Sequence, residues 1–421
     1  MTKLRRSLAV LLAYGCIGAA TPAYADAVTF WNNITLREVT LGRAGPSGFF
    51  DIAIVQAAVH DAVQAFEHRF EPYHVNIPNA AGSPAAAVAA ASRDLLVALY
   101  PTRQAVIDGD YTSFLQANNL VGNAGLAVGQ QAAKALHTQY RPIVAMPAFT
   151  GGTEPGEWRP TPSYIGNPPV PTPFSPMAFV YAASTTPFTL NRSSQFRPQP
   201  PPPLTSERYR RDYDEAKAFG ARFGSSRTAE LTDLAYFWSE NFVAQLNRTL
   251  RAIAEDHLDT LGDSARLFAL ANLAAADAFI SCWESKLHFN FWRPVTAIQE
   301  GDADGNPNTE GDPTWEPLVN NPNYPDYTSG ANNVTGATMT ILQNFFGTDD
   351  FEFTITSNSP LVQDNSRDYT RFSQVMEEVV DARILLGIHF RFADDEARDQ
   401  GSHVAHWVFQ KFLRPLPPRR R

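Results

Sequence analysis

The chain has 421 residues, 44% of them hydrophobic and 12% aromatic, so it is long enough to bury one large core or two ordinary ones. Its 43 acidic and 34 basic residues give a formal net charge of -9, and the terminal "RRR" is its longest basic run. Because nucleic-acid binding without sequence preference needs a basic face, the composition argues against a nucleic-acid partner.

Residues 1–25 have the layout of a cleavable secretory signal. Basic residues precede an apolar run from Leu8 to Ala20, and the segment ends in the small-x-small pattern "AYA". The apolar run is shorter than the roughly 20 residues that span a bilayer. We therefore expect cleavage before Asp26, export to the periplasm or the medium, and no stable membrane span.

Helical periodicity dominates the N-terminal third of the chain. Apolar residues recur at helical spacing over Asp51–Phe70, which predicts a helix there. A second helix is predicted to begin at Ser83-Pro84, a cap residue followed by a first-turn proline. Further helices are expected near residues 103–118 and 123–140.

Residues 142–204, which we call the strap, lose this periodicity and are rich in proline, glycine and small polar residues. Such a long irregular segment is usually functional or wraps a core. A linker between two helical halves is the alternative, but several aromatic residues favour docking on the core: Phe174, Phe179, Tyr181, Phe188 and Phe196. We therefore predict a single domain over residues 26–421.

The C-terminal half again has helical patterns. Thr205-Ser206 predicts the start of a helix that ends near Gly220. Longer helices are predicted over Thr228–Asp256, Ser264–Phe289, Gly330–Phe346, Ser366–Ile388 and Asp395–Phe412. One alternating stretch, Phe351–Thr356, is typical of a strand. The predicted fold class is all-α, with bundled helices and long proline-rich connections.

The stretch "KLHFNFWRP" places two cations within reach of one small anion. Lys286 and Arg293 are seven residues apart, about two helical turns and about 10 Å along one face. Pro294 disfavours helical geometry at Arg293, so the second cation is expected where the helix breaks. An isolated pair of this kind is more often two solvated cations.

The stretch "YPDYTSGANNVTGA" predicts a helix that begins at Ser329-Gly330. The first backbone N–H groups of a helix are unpaired and lie at the positive end of its dipole, which suits an anion. Arg383 and His389 are six residues apart and would not share a face of a straight helix. Gly387 between them lets the helix end or bend. Alone, the turn would be an ordinary N-cap and the histidine a core residue.

In this order and spacing, these residues resemble the superfamily of vanadium-dependent haloperoxidases and type 2 phosphatidic acid phosphatases. Its pattern is Lys, six residues, Arg-Pro; then Pro-Ser-Gly-His; then Ser-Arg, five residues, His. The resemblance is closest to secreted haloperoxidase-like members and implies an oxyanion site within residues 283–389. The positions that carry it are Lys286, Arg293-Pro294, Ser329-Gly330, Arg383 and His389.

The resemblance implies a role for each residue of that site. A tetrahedral oxyanion would be held by three cations, one hydroxyl and one backbone N–H: Lys286, Arg293, Arg383, Ser329 and Gly330. His389 would be the axial vanadium ligand of a haloperoxidase, or the nucleophile that carries phosphate in a phosphatase. The implied cofactor is vanadate in the first case and none in the second. Trp283 would line the pocket.

Three positions depart from the superfamily pattern. Thr328 replaces the proline and Ala382 the serine, with consequences for turn rigidity and a secondary hydrogen bond. Ala331 replaces the acid–base histidine, a loss worth about 10²–10⁴ in rate. His288, Asp326 and Tyr327 are the candidates to supply the missing proton: His288 lies near Lys286 in the sequence, and the other two immediately precede the turn.

The leading interpretation is a vanadate-dependent haloperoxidase that oxidises halide with hydrogen peroxide. Ala331 favours an alternative, a vanadium-free phosphatase or prenyl diphosphate-processing enzyme, because a good leaving group needs little protonation. A non-catalytic oxyanion-binding protein is the third interpretation. In the two enzymatic cases the substrate is a small molecule, and the oligomeric state stays open, a homodimer included.

Overall fold

The computed structural model describes residues 26–43, 45–162 and 176–417, so the predicted signal segment and Phe174 lie outside the described residues. Within the described part, 13 α-helices and a single two-stranded sheet are present. The predicted all-α helical architecture is confirmed.

The helices of the first half are α1 (Ala27–Gly42), α2 (Gly48–Glu67), α3 (Pro84–Leu99), α4 (Gln104–Ala117), α5 (Gly125–His137) and α6 (Glu207–Gly220). Those of the second half are α7 (Ala229–Phe237), α8 (Phe242–His257), α9 (Leu261–Phe289), α10 (Pro294–Gln299), α11 (Gly330–Phe346), α12 (Phe372–Leu385) and α13 (Arg391–Lys411). The strands β1 (Asp350–Thr356) and β2 (Ser366–Arg371) pair antiparallel between α11 and α12.

Helix α9 is the central element of the bundle. It has 29 residues and packs against α2, α11 and α13. Its alanine-rich stretch, residues 274–278, is fully buried and lets neighbouring helices approach closely. A helix that is apolar on all sides belongs inside a core. Lys286, near its C-terminal end, is therefore held in a well-packed element.

Among the described residues, two segments are long and apolar enough to cross a membrane by length and composition alone. They are Gly45–Glu67, 94% buried, and Leu261–Phe289, 100% buried. In both, the apolar surface is covered by other parts of the protein.

The helix predicted over Thr228–Asp256 was wrong in its continuity. The structure has two helices there, α7 and α8, separated by a short break. The Asn241 side chain caps the second helix by accepting a hydrogen bond from the Val243 N–H at 3.0 Å. An asparagine that bonds to a nearby backbone N–H favours a helix start over a helix interior.

The helix predicted over Ser366–Ile388 was wrong at both ends. Residues Ser366–Arg371 form β2, in which Tyr369 is buried and its ring lies 5.5 Å from that of Phe353 on β1. Cross-strand packing of this kind overrides a local helical pattern. The helix that follows ends at Leu385, before Gly387. The predicted strand at Phe351–Thr356 and the predicted bounds of α11 are confirmed.

The described part of the strap is mostly irregular and is tied to the central helix. The buried Asp277 carboxylate on α9 accepts hydrogen bonds from the backbone N–H groups of Phe188, Thr189 and Leu190, at 2.7, 2.7 and 3.1 Å. Further along, the N–H of Trp158 donates to Asn290 O at 2.7 Å. The strap therefore supports the turn between α9 and α10.

Candidate functional site

Two successive elements position the first pair of cations. Lys286 lies in the last turn of α9, which ends when Asn290 adopts a left-handed conformation with φ 49°. Arg293 is the N-cap of α10 and has extended geometry, with φ -87° and ψ 157°. The expectation that Pro294 excludes helical geometry at Arg293 is confirmed.

The turn into α11 brings the Ser329 hydroxyl and the Gly330 backbone to the same place. Ser329 is fully buried and is the N-cap of α11, yet its side chain makes no capping hydrogen bond. A Cβ at Gly330 would lie 3.1 Å from the Trp283 ring, which is closer than a side chain normally approaches. The first N–H groups of α11 and one serine hydroxyl are thus available as donors.

Gly387 allows the third segment to reach the site. Helix α12 ends at Leu385, and Gly387 has φ 76°, a left-handed conformation that favours glycine. A Cβ there would lie 2.4 Å from the carbonyl oxygen of Gly220. The chain therefore turns after Arg383 and places His389 in the same pocket, as the sequence predicted.

Lys286 and Arg293 converge on Tyr324. The Lys286 Nζ donates to the backbone oxygens of Pro325 and Asp326, at 2.7 and 3.0 Å, which leaves one of its three N–H groups for a further acceptor. The Arg293 Nε donates to Tyr324 O at 2.8 Å. Both cationic groups also approach the Tyr324 ring, at 5.0 and 4.9 Å from its centroid.

His389 lies between a cation and a carboxyl group. Its Nε2 is 3.1 Å from Arg293 Nη1, and its Nδ1 is 2.6 Å from Asp326 Oδ1. An arginine can only donate, so Nε2 must be the unprotonated nitrogen of the ring, and the ring hydrogen is on Nδ1. The nitrogen that carries the lone pair therefore faces the cations.

Burial and like charges keep this histidine neutral. Burial lowers the pKa of His389 well below its usual range, and nearby Arg293 and Lys286 lower it further. Burial also lowers the pKa of Lys286 to about 7. It raises the pKa of Asp326 to about 7, against the opposing effect of Arg293 and Lys286.

Two guanidinium groups of the site have a buried nitrogen without an acceptor. Arg293 Nη2 and Arg383 Nε have no hydrogen-bond partner among the described residues. Arg383 is also held by one bond from its Nη1 to Trp238 O at 3.1 Å. Buried donors of this kind are costly unless a ligand accepts from them. The donor set fits a tetrahedral oxyanion such as vanadate or phosphate.

A cavity of about 240 Å³ adjoins this pocket, and Ala331 lies in its wall. Much of the rest of the lining is apolar or aromatic and includes Phe49, Phe242, Trp283 and Val334. Trp283 thus lines the cavity, as expected from the resemblance. The position where the superfamily has histidine contributes only a methyl group.

Of the three candidates for the missing proton carrier, only Asp326 contacts His389, and it does so at Nδ1. His288 is exposed and lies 3.3 Å from Arg197. The Tyr327 hydroxyl donates to Gln199 O at 2.6 Å, toward the strap. Asp326 faces His389, as described above.

The sequence analysis missed two residues beside the pocket, Asp394 and Asn332. Asp394 is completely buried in the first turn of α13, and its Oδ1 accepts from Asn332 Nδ2 at 2.7 Å. The available signal was an aspartate five residues after His389, in an apolar context at a helix start. The pattern of the superfamily does not include it.

The fold and the site together define a helical-bundle protein with a cationic pocket, which is formed by Lys286, Arg293, Ser329, Gly330, Arg383 and His389. Residues 266–417, which contain all six, match the family model of the VCPO second helical-bundle domain. The match covers part of the chain and supports its resemblance to the superfamily that includes the vanadium haloperoxidases.

The chain is also similar to one curated protein in part of its sequence and to solved structures in its fold. The chain is 36% identical over 94 residues to vanadium chloroperoxidase from Curvularia inaequalis, a match that spans 20% of this chain and only 15% of that protein. A bacterial vanadium-dependent iodoperoxidase structure superposes with a TM-score of 0.77 and 24% identity, over 93% of this chain and 98% of that one. An apo-type bacterial vanadium-dependent chloroperoxidase structure superposes with a TM-score of 0.72 and 19% identity, over 88% of this chain and 94% of that one.

Proposed function

We propose that the protein is a vanadate-dependent haloperoxidase-type enzyme that oxidises halide with hydrogen peroxide in the oxyanion pocket. The observation that carries this proposal is the unprotonated Nε2 of His389, which faces the Arg293 guanidinium. A nitrogen lone pair at the edge of a cationic pocket can bind the central atom of an oxyanion, whereas an imidazolium cannot.

The pocket residues would have different roles in binding vanadate. Lys286, Arg293 and Arg383 would neutralise its charge, and Ser329 with Gly330 would orient its oxygens. Bound vanadate would supply the Lewis-acid centre that activates peroxide. The protein keeps His389 neutral and holds the cations in a buried environment, where their interaction with an anion is stronger than in water.

Ala331 determines the expected halide preference. A methyl group cannot assist the deprotonation of peroxide, a role that is worth about 10²–10⁴ in rate. The loss is most severe for the halide that is hardest to oxidise. We therefore expect turnover in the order iodide, bromide, chloride, with chloride slowest.

The test compares protein reconstituted with orthovanadate and vanadate-free protein in assays with peroxide and each halide. We expect iodide and bromide oxidation only in the reconstituted sample, and loss of that activity in His389→Ala. His403→Ala serves as the control, because His403 is exposed on α13. Equal activity with and without vanadate, or no activity with any halide, would refute the proposal.

A second candidate is a vanadium-free phosphatase or diphosphate-processing enzyme, which Ala331 favours. In that reaction His389 would attack phosphorus and carry the phosphoryl group. A diphosphate or phenolate leaving group needs little protonation, and the apolar wall formed by Phe49, Phe242 and Val334 suits a hydrocarbon chain beside the pocket.

A panel of phenyl phosphate, an alkyl phosphate and a prenyl diphosphate separates the two functions. The phosphatase requires turnover without vanadate and inhibition by added vanadate, which is the opposite of the haloperoxidase. If vanadate binds tightly and neither reaction is detected, the protein is a non-catalytic oxyanion-binding protein.

A further inference from the structure

A second buried carboxyl group lies next to the turn that holds the oxyanion. Asp394 is fully buried, and Asn332 Nδ2 donates to its Oδ1 at 2.7 Å and approaches Ser329 Oγ at 3.4 Å. Asn332 thus joins the two side chains, and Ser329 is near enough to the carboxyl group to lower its pKa. Asp394 Oδ2 has no well-formed hydrogen bond among the described residues. One carboxyl oxygen is thus secured and the other is available.

The single hydrogen of Ser329 links this carboxyl group to the anion. If Asp394 is a carboxylate, it attracts the hydroxyl hydrogen, and Ser329 then has none left for an oxyanion. If Asp394 is protonated, its Oδ2–H can donate to Ser329 Oγ, and the serine hydrogen is free for the anion. The protonation state of Asp394 therefore decides which way Ser329 donates.

We propose that Asp394 is a proton-holding positioning residue that acts through Ser329 and takes over part of the role lost at Ala331. It directs the Ser329 hydrogen to the bound oxyanion and passes a proton through the hydroxyl to a departing oxygen. This inference rests on the proposed oxyanion pocket, whichever of the two reactions that pocket performs.

The proton transfer balances for a phosphate ester. As the bond between phosphorus and the leaving oxygen breaks, that oxygen takes the hydrogen of Ser329, and Ser329 takes the hydrogen of Asp394. The products are a neutral alcohol and an Asp394 carboxylate. When water hydrolyses the phosphohistidine, one of its protons returns to Asp394 by the same route, so the site is restored.

The surroundings of Asp394 favour its protonated form. Burial raises the pKa of Asp394 well above its usual range, the Ser329 contact and the cation Arg383 oppose that rise, and Asp326 adds to it. Lys286 on α9 and Arg293 at the start of α10 are further cations near it, while α11 contributes the neutral Asn332. A bound oxyanion would add another negative charge and favour the proton further.

Binding of sulfate against pH tests the inference without turnover, because sulfate is a dianion throughout pH 5–9. Asp394→Asn keeps the size of the side chain and a donor for Ser329, but it cannot lose a proton. At high pH we expect the sulfate affinity of this variant to fall less steeply than that of the wild type. The two slopes should differ by about one proton taken up on binding, which is about a tenfold change in affinity per pH unit. Asp399→Asn, an exposed substitution on the same helix, should keep the wild-type slope.

Turnover supplies a second readout, because Asp394→Asn can orient Ser329 but cannot give a proton. We expect kcat to fall about 10²-fold with KM within about twofold, measured on the alkyl phosphate or the halide that the wild type uses. Once Ser329→Ala has removed the hydroxyl, Asp394→Asn should have little further effect on kcat. The double variant should therefore be no slower than Ser329→Ala alone. A purely structural role for Asp394 predicts additive losses and an altered KM instead.

The outcomes separate this inference from the proposed function. If the wild type binds no sulfate, or if Arg383→Gln leaves its sulfate affinity unchanged, the oxyanion pocket itself is refuted. If sulfate binds through Arg383 but Asp394→Asn keeps the wild-type pH slope and kcat, only the relay through Ser329 is refuted. Should Asp394→Asn fail to fold, Ser329→Ala decides, because a relay through its hydroxyl predicts a loss of at least about 10²-fold in kcat, and a kcat within about twofold of the wild type would refute the relay.

Discussion

Arg293 Nη1 lies 3.1 Å from His389 Nε2, so the nitrogen that would bind vanadium or attack phosphorus is already paired with a cation of the pocket. The same guanidinium donates from Nε to the backbone oxygen of Tyr324, and its Nη2 has no acceptor within the part of the chain that the structure describes. Arg293 therefore both orients the imidazole and offers a donor to an incoming anion. A planar, forked cation is needed for both functions.

Arg293→Lys keeps the positive charge but loses the planar guanidinium group with its several N–H donors. We expect orthovanadate affinity to fall about 10- to 100-fold, since each charge-assisted hydrogen bond contributes roughly 1.5–3 kcal/mol. Isothermal titration calorimetry measures this directly. Arg208→Lys is the control, because Arg208 is on the surface and 3.3 Å from Glu396. If both variants bind vanadate like the wild type, Arg293 is not an anion ligand.

Lys286 makes anion binding depend on pH near neutrality. Its pKa is lowered to about 7 by burial, so it is charged below pH 7 and loses its charge as the pH rises. Sulfate affinity should therefore fall as the pH increases from 6 to 9. In Lys286→Arg the side chain stays charged, so the sulfate affinity should fall less steeply with pH. The slopes of the two proteins should differ by about one proton. An equal slope in both proteins would show that Lys286 does not titrate in this range.

Ala331→His restores the acid–base side chain of the superfamily in the wall of the cavity. We expect kcat to rise by about 10²-fold or more, most clearly for chloride oxidation or for an alkyl phosphate with a poor leaving group. Ala331→Phe occupies similar space without a proton and should not increase kcat. A histidine variant that folds and binds vanadate but gains nothing would mean that the pocket lacks more than this group.

Asp277 should matter for stability rather than for chemistry. Asp277→Ala leaves three backbone N–H groups of the strap without their acceptor in a buried site. We expect the free energy of unfolding in urea to fall by about 3–5 kcal/mol. Asp259→Asn, at an exposed position, should change it by less than about 0.5 kcal/mol. Equal stability of the two variants would show that the strap is not held by Asp277.

Local sequence features were sufficient to predict the turn at Ser329-Gly330 and the helix that follows it. Ser329 as the N-cap and Gly330 as the first residue follow from capping preferences, and α11 has the predicted bounds. Gly387 likewise indicated a bend or helix end between Arg383 and His389, although the predicted helix ran to Ile388 and α12 ends at Leu385. Each of these features depends on a few neighbouring residues, so no knowledge of the tertiary structure was needed.

Features that depend on tertiary contacts were not predictable. Residues Ser366–Arg371 have a helical pattern but pair with β1, because the neighbouring strand buries Tyr369. Asp394 resembles an ordinary acidic residue of a first helical turn until α11 packs against α13 and encloses it. Its closeness to Ser329 is a consequence of that packing.

The central claim is that three cations, one turn and His389 form a single oxyanion site. The most direct measurement is a crystal structure of the protein at saturating orthovanadate. We expect vanadium bonded to His389 Nε2, with donors from Lys286, Arg293 and Arg383 about 3 Å from its oxygens. Vanadate bound elsewhere, or a pocket that stays empty at saturation, would contradict the claim.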